Sequence, residues 1–210
     1  MATTMNPNSL LYELRRLMPP RPLAQFEAYR IAELQANRLL RVGGVDEPGS
    51  PDELITGQSF LEVALRDDLP TSGLTHWCKP RWLIILNRRE PAVRRRFSLA
   101  HEFKHILDHG IADRAYPATV WLSADARAER VADYFAASFL MPRRLVKRRY
   151  FEGLRDTGDL AAEFGVSPHA MRYRLDQLGL VGRVPRCDAL LRSTDSGRRS
   201  MRGRGWLEAA

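Results

Sequence analysis

His101 and His105 lie in a run, Arg94 to His109, whose apolar residues Phe97, Ala100, Phe103, Ile106 and Leu107 recur at helical spacing before Gly110. On a helix, residues four apart project from one face, so both imidazoles can reach a single ion. The fold must therefore bury one side of this helix and keep the other open. Zinc suits imidazole nitrogen, and a catalytic zinc site takes three protein ligands and leaves a fourth position for water; manganese is the alternative ion. Glu102 follows the first histidine, where a carboxylate can take the proton of an attacking water as general base. A shifted pair, His105 and His109, has no carboxylate directly after its first histidine. A histidine near a helix C-terminus is also favoured by the helix dipole alone, so His109 is set aside.

The third ligand has to come from another element. Ser123 is placed to cap a helix running from Ala124 toward Met141, which Pro142 ends. That helix carries Glu129 and, four residues on, Asp133, on one face. Glu129 is the expected third ligand, and Asp133 is expected to accept the free imidazole N–H of a ligating histidine, His101 before His105. The competing reading of both is an exposed helical charge, and Asp125, four residues before Glu129, keeps it open. Ala132, Ala136 and Ala137 permit close helix packing.

The remaining elements follow from periodicity. Leu10, Leu11, Leu14, Leu17 and Met18 form a helical stripe from Asn8 to Met18, stopped by Pro19 and Pro20. A longer helix is expected from Leu23 to Val42 before Gly43, and a single helical turn between Asp52 and Gly57. Alternation from Phe60 to Leu65, and again in Gly73 to Trp77 and Arg81 to Asn87 about a turn at Cys78, Lys79 and Pro80, predicts a small sheet with a hairpin. The class is α+β.

Two separated motifs carry a resemblance. Arg96-Phe97-Ser98-Leu99-Ala100-His101-Glu102-Phe103-Lys104-His105, followed by Glu129-x-x-Ala132-Asp133-x-Phe135-Ala136-Ala137-x-Phe139-Leu140-Met141-Pro142, resembles the ImmA/IrrE family of bacterial metallopeptidases and the broader gluzincin plan. The similarity runs from about Pro22 to Pro142 and extends toward Leu180. It implies zincin-like helices packed on a small mixed sheet, with Glu129 as third ligand and Asp133 as its partner residue. It also implies a protein substrate, a helix-turn-helix repressor whose cleavage relieves repression. The family often has a small residue where this chain has Lys104. The lysine is expected to snorkel outward; a lysine turned toward the ion would weaken its binding.

Leu160-Ala161-x-x-Phe164-Gly165-Val166-Ser167 through Met171 has helix-turn-helix spacing, with Ser167 capping the second helix. His169, Arg172 and Arg174 are then candidates for contact with DNA or a partner protein. Such a pair of helices also serves purely for packing. The expected organisation is a zincin-like metallopeptidase domain at 1–155, a helix-turn-helix-like module at 156–185 and a basic, mobile tail at 186–210. Ser72 to Trp77 or Arg81 to Leu86 could offer a sheet edge on which an extended substrate adds as a strand. His76 is read as a surface histidine in preference to an oxyanion donor.

The formal charge of +8 arises largely from arginines at 94–96, 143–149 and 192–204, which suit weak, salt-sensitive DNA binding or a solvated surface. No apolar run is long enough to span a membrane, and there is no secretion signal, so a cytoplasmic protein is expected. Cys78 and Cys187 stand alone and are assigned no chemistry. The reading reached is a zinc-dependent endopeptidase. The alternative is a DNA- or repressor-binding regulatory module, or the toxin of a toxin–antitoxin pair, with a largely structural metal site.

Overall fold

Three segments with strand-like alternation form one sheet: β1 (Leu61–Arg66), β2 (Gly73–Cys78) and β3 (Arg81–Asn87). The computed structural model, which describes residues 10–180, orders them β1-β3-β2, with β3 parallel to β1 and antiparallel to β2. Trp82, Ile84 and Leu86 of the central strand are buried. Preceding the sheet are α1 (Leu10–Arg15), α2 (Gln25–Val42) and the short α3 (Glu53–Thr56). Following it are α4 (Ala92–Asp108), α5 (Ala112–Ala115), α6 (Ala124–Leu140), α7 (Arg143–Phe151), α8 (Thr157–Phe164) and α9 (Pro168–Gln177). The α+β class and the small mixed sheet are as read from the sequence.

The core forms where α2 and α4 pack against α6. Ala28, Ala32 and Ala36 of α2 and Ala132 and Ala136 of α6 are all fully buried, so small side chains let the helices approach closely. Phe103 of α4 meets Phe135 at a ring distance of 6.3 Å, and Phe135 stacks on Phe139 at 6.2 Å. Ser123 caps α6 by accepting from the Ala126 N–H, and Ser167 caps α9 by accepting from the Ala170 N–H.

Many arginines face inward or meet carboxylates. Arg96 pairs with Asp52 at 2.8 Å and donates to the carbonyls of Gly49 and Gly165. Gly165 has φ +60°, a conformation that favours glycine, and a Cβ there would lie 2.0 Å from Arg96 Nη1 and displace the guanidinium. Arg127 donates to the Leu23 and Pro117 carbonyls and so holds α6 to the segment before α2. Helix α7 was not foreseen, because its charge obscured a buried face of Leu145 and Val146. Its Arg144, Arg148 and Arg149 meet Asp46, Glu47 and Glu163 at 2.9, 2.6 and 2.7 Å, so much of this cluster is internally neutralised.

Two expectations are corrected. Lys104 does not snorkel outward and does not face the ligand cluster. It is fully buried, with its ammonium 2.5 Å from Asp108 Oδ1, and Tyr116 donates to Asp108 Oδ2 at 2.8 Å. Burial pushes the ammonium pKa below its usual range against the pull of Asp108, and raises that of the Tyr116 phenol. Arg174 is not a surface contact residue either. It is fully buried, donates to the Met141 carbonyl at 3.1 Å and lies over the Tyr134 ring, so it anchors α9 and is unavailable to DNA. His169 and Arg172 are exposed.

Leu160, Phe164, Val166, Met171 and Leu175 of the α8–α9 region belong to the same hydrophobic cluster as α2, α4 and α6. No helix among the described residues is long and apolar enough to cross a membrane. The start of the helix expected from Asn8, the tail at 186–210 and Cys187 lie outside the described residues.

Removing one member of a buried ion pair leaves the other charge desolvated. Lys104→Met keeps the apolar stem and strands Asp108, so urea denaturation should show a stability loss of about 3–5 kcal/mol. A loss below about 1 kcal/mol would mean that Asp108 reaches water in the native state.

Candidate metal centre

Helices α4 and α6 run antiparallel across the site, because His101 faces Asp133 while His105, one turn later, faces Glu129. The two four-residue spacings therefore lie opposite each other. His101 Nε2 and His105 Nε2 are 3.0 Å apart, and Glu129 places its two oxygens 3.2 Å from the first and 3.3 Å from the second. Donors each about 2.0–2.1 Å from a tetrahedral ion stand roughly 3.3 Å apart. The triangle fits such an ion with one corner left over.

The protonation pattern fits as well. His101 Nδ1 lies 2.9 Å from Asp133 Oδ1. That contact holds the ring proton on Nδ1 and leaves the Nε2 lone pair facing the triangle. Burial disfavours a charged His101, but the Asp133 hydrogen bond, with the charges of Asp133, Glu129 and Glu102, outweighs it and raises the pKa. Burial and the neighbouring His101 lower that of His105. Glu129 and Asp133 ion-pair with no lysine or arginine among the described residues. A site with uncompensated carboxylates beside two imidazoles suits a dication.

Glu102 points into the same cleft, which has a volume of about 610 Å³ and is also lined by Gly73, Leu74 and Thr75 of β2. The Thr75 hydroxyl donates to Glu102 Oε2 at 2.7 Å, which fixes the carboxylate and leaves Oε1 free. A Cβ on Gly73 would stand 3.1 Å from Glu102 Cγ, so glycine admits this close approach of strand to helix. Neither Thr75 nor Gly73 was singled out from the sequence. Their shared face of β2, two residues apart, was the available signal.

Of the two strands considered as a substrate edge, Arg81–Leu86 is excluded, because β3 is hydrogen-bonded on both sides. β2 is an edge strand beside the cleft. His76 is exposed and lies on the opposite face of β2 from Thr75. His109 lies outside the triangle, its ring edge-on to Trp82 at 4.8 Å.

Two facing helices with a His-His-Glu cluster beside an open sheet edge define a candidate metal-dependent hydrolase. The family model described as the IrrE N-terminal-like domain, peptidase family M78, matches residues 58–176, more than half of the 210-residue chain, and the protein belongs to that family. Among solved structures it is similar to a Mycobacterium tuberculosis transcriptional regulator, with 20% identity and a TM-score of 0.57. The similarity covers 80% of this chain and 51% of the regulator, so the chain spans about half of that protein's length. No curated protein matches. Membership of this typically metal-dependent family points to a metallopeptidase or regulator-related role.

Losing one donor should cost far more than loosening one. His105→Ala should leave zinc binding too weak to survive dialysis, measured by elemental analysis, whereas Asp133→Asn should bind about 10–100-fold more weakly by competition titration. Unchanged affinity in Asp133→Asn would remove the carboxylate from its role in orienting His101.

Proposed function

We propose that the protein is a zinc-dependent endopeptidase whose substrate is a helix-turn-helix transcriptional repressor, cut to relieve repression. The observation that carries the catalytic half is the convergence of His101, His105 and Glu129 on one triangle, with Glu102 in the same cleft. Two imidazoles and one carboxylate favour zinc, with manganese the alternative. When bound, the ion supplies the Lewis acidity that makes water nucleophilic near neutral pH and polarises a carbonyl.

The chain's own groups do the rest. Glu102 Oε2 is occupied by Thr75, so Oε1 takes the proton of the attacking water and delivers it to the departing amine. Asp133 keeps the His101 ring in its ligating orientation. The open edge of β2 offers backbone hydrogen bonds to an extended peptide, which aligns a scissile bond over Glu102.

Support for the repressor comes from the resemblance of the two motifs and from the regulatory description of the Mycobacterium tuberculosis protein whose fold is shared. Incubating the zinc-loaded protein with the product of the neighbouring gene, expected on this reading to be a helix-turn-helix repressor, should give two fragments by mass spectrometry. Glu102→Gln should keep its zinc and cut at least about 100-fold more slowly, the usual scale of a lost general base. An undiminished rate in that variant would defeat the mechanism. An intact repressor in the presence of cutting of other proteins would defeat only the substrate assignment.

A further inference from the structure

A second groove, of about 740 Å³, opens off the metal cleft and shares Arg94, Phe97 and Asp133 with it. One of its sides is the body of the protein, where Tyr134 stacks on Tyr29 at 4.6 Å. The other is α9, which presents His169 and Tyr173. Tyr173 is 61% exposed, although the helix that carries it is firmly anchored. Met171 and Leu175 are fully buried, Arg174 is bonded to the Met141 carbonyl, and Arg96 holds the Gly165 carbonyl just before α9 begins. An exposed ring on a fixed wall is preorganised to contact a ligand.

The charge changes sign along the way. Glu102 and Glu129 line only the metal cleft and Arg130 lines only the groove, while Asp133 and Arg94 line both, so the balance of charge passes from acidic to basic. Arg130 has no ion pair among the described residues, and the half-exposed Arg94 reaches the partly buried Glu90 only at 4.0 Å and donates to Ser72 Oγ at 3.3 Å. Asp133, the acidic residue lining the groove, is hydrogen-bonded to His101 and is outnumbered there by Arg94 and Arg130. From Asp133 to Met141, both lining the groove, α6 rises about 12 Å. That length accommodates three or four residues of extended chain.

We infer that this groove is a specificity subsite, in which α9 forms one wall, for an extended segment of a protein substrate carrying an aromatic residue flanked by acidic ones. The aromatic side chain lies among Tyr29, Tyr134 and Tyr173, and the acidic side chains meet Arg130 and Arg94. The exposed face of α9 thereby reads protein sequence through Tyr173 and His169. The inference rests on the peptidase reading only for the claim that the bound segment is subsequently cut.

The test separates binding from cutting. Two fluorescein-labelled peptides, identical except for Glu-Phe-Glu in one and Lys-Phe-Lys in the other, are titrated by anisotropy against the full chain carrying Glu102→Gln, with zinc and with chelator. The acidic peptide should bind about tenfold more tightly in both conditions. Adding Arg130→Glu should abolish that preference, and Arg130→Lys should retain it. Tyr173→Ala should weaken the acidic peptide about fivefold or more, while Phe151→Ala, at a somewhat more exposed aromatic on α7, should leave it unchanged.

Equal binding of the two peptides, binding of neither, a preference that survives Arg130→Glu, or an equal effect of Phe151→Ala would overturn the subsite. So would a short DNA duplex that displaces the peptide and itself depends on Tyr173. If binding follows the expected pattern but the Glu102 form with zinc leaves the peptide intact, the subsite stands and the peptidase reading falls. Cutting without preference is the reverse case.

Discussion

The register between α4 and α6 is the constraint on which the site depends. A helix advances 100° per residue, so a slip of one position in either helix would swing a donor pair out of the cleft. The slip is resisted from behind. Phe103, Ile106 and Leu107 of α4 and Val131, Phe135 and Phe139 of α6 are buried to 1% exposure or less, and their interlocking fixes which turns meet. The polar face thus inherits its accuracy from the apolar one, and the His101–Asp133 and His105–Glu129 pairings follow without a loop having to hold them.

This dependence explains what could be read from the sequence. Two four-residue repeats, His101 with His105 and Glu129 with Asp133, declare their faces through helical geometry alone, and the buried stripes beside them declare the opposite faces. Contacts between elements leave no such periodic mark. Thr75 reaches Glu102 only because β2 lies at the end of the sheet order and Gly73 lets it come close, neither of which alternation encodes. Lys104 was assigned outward from its charge, yet its partner was present in the sequence as Asp108, four residues on. Arg174 falls where the apolar stripe of its helix would continue, but the carbonyl that it meets, that of Met141, is thirty-three residues away.

The arginine content illustrates the same limit. A formal charge of +8 suggests a nucleic-acid footprint when arginines are counted along the chain. In the folded protein, Arg96, Arg127 and Arg174 satisfy interior carbonyls, and Arg144, Arg148 and Arg149 meet carboxylates. Guanidinium suits these positions because its planar fork can satisfy several acceptors at once. These six arginines tie separate segments of the fold together. The positions that remain informative are those, such as Arg130, that line a cavity without an acidic partner.

Lys104 lies between the two histidines in sequence, and an isolated cation there would oppose a dication at the triangle. Bonded to Asp108, it forms a pair with no net charge, whose field falls off faster than that of a single ion, and burial beneath Tyr116 keeps the pair intact. The field in the cleft is therefore set by Glu102, Glu129 and Asp133 against Arg94. Those carboxylates favour a metal ion and repel an acidic side chain placed directly over the reacting bond. Arg94 lines both spaces and Arg130 only the neighbouring groove, so the proposed subsite would meet an acidic substrate residue away from Glu102 and Glu129. The metal centre and the proposed subsite share Asp133 and Arg94, and the balance shifts between them because Glu102 and Glu129 line only the first and Arg130 only the second.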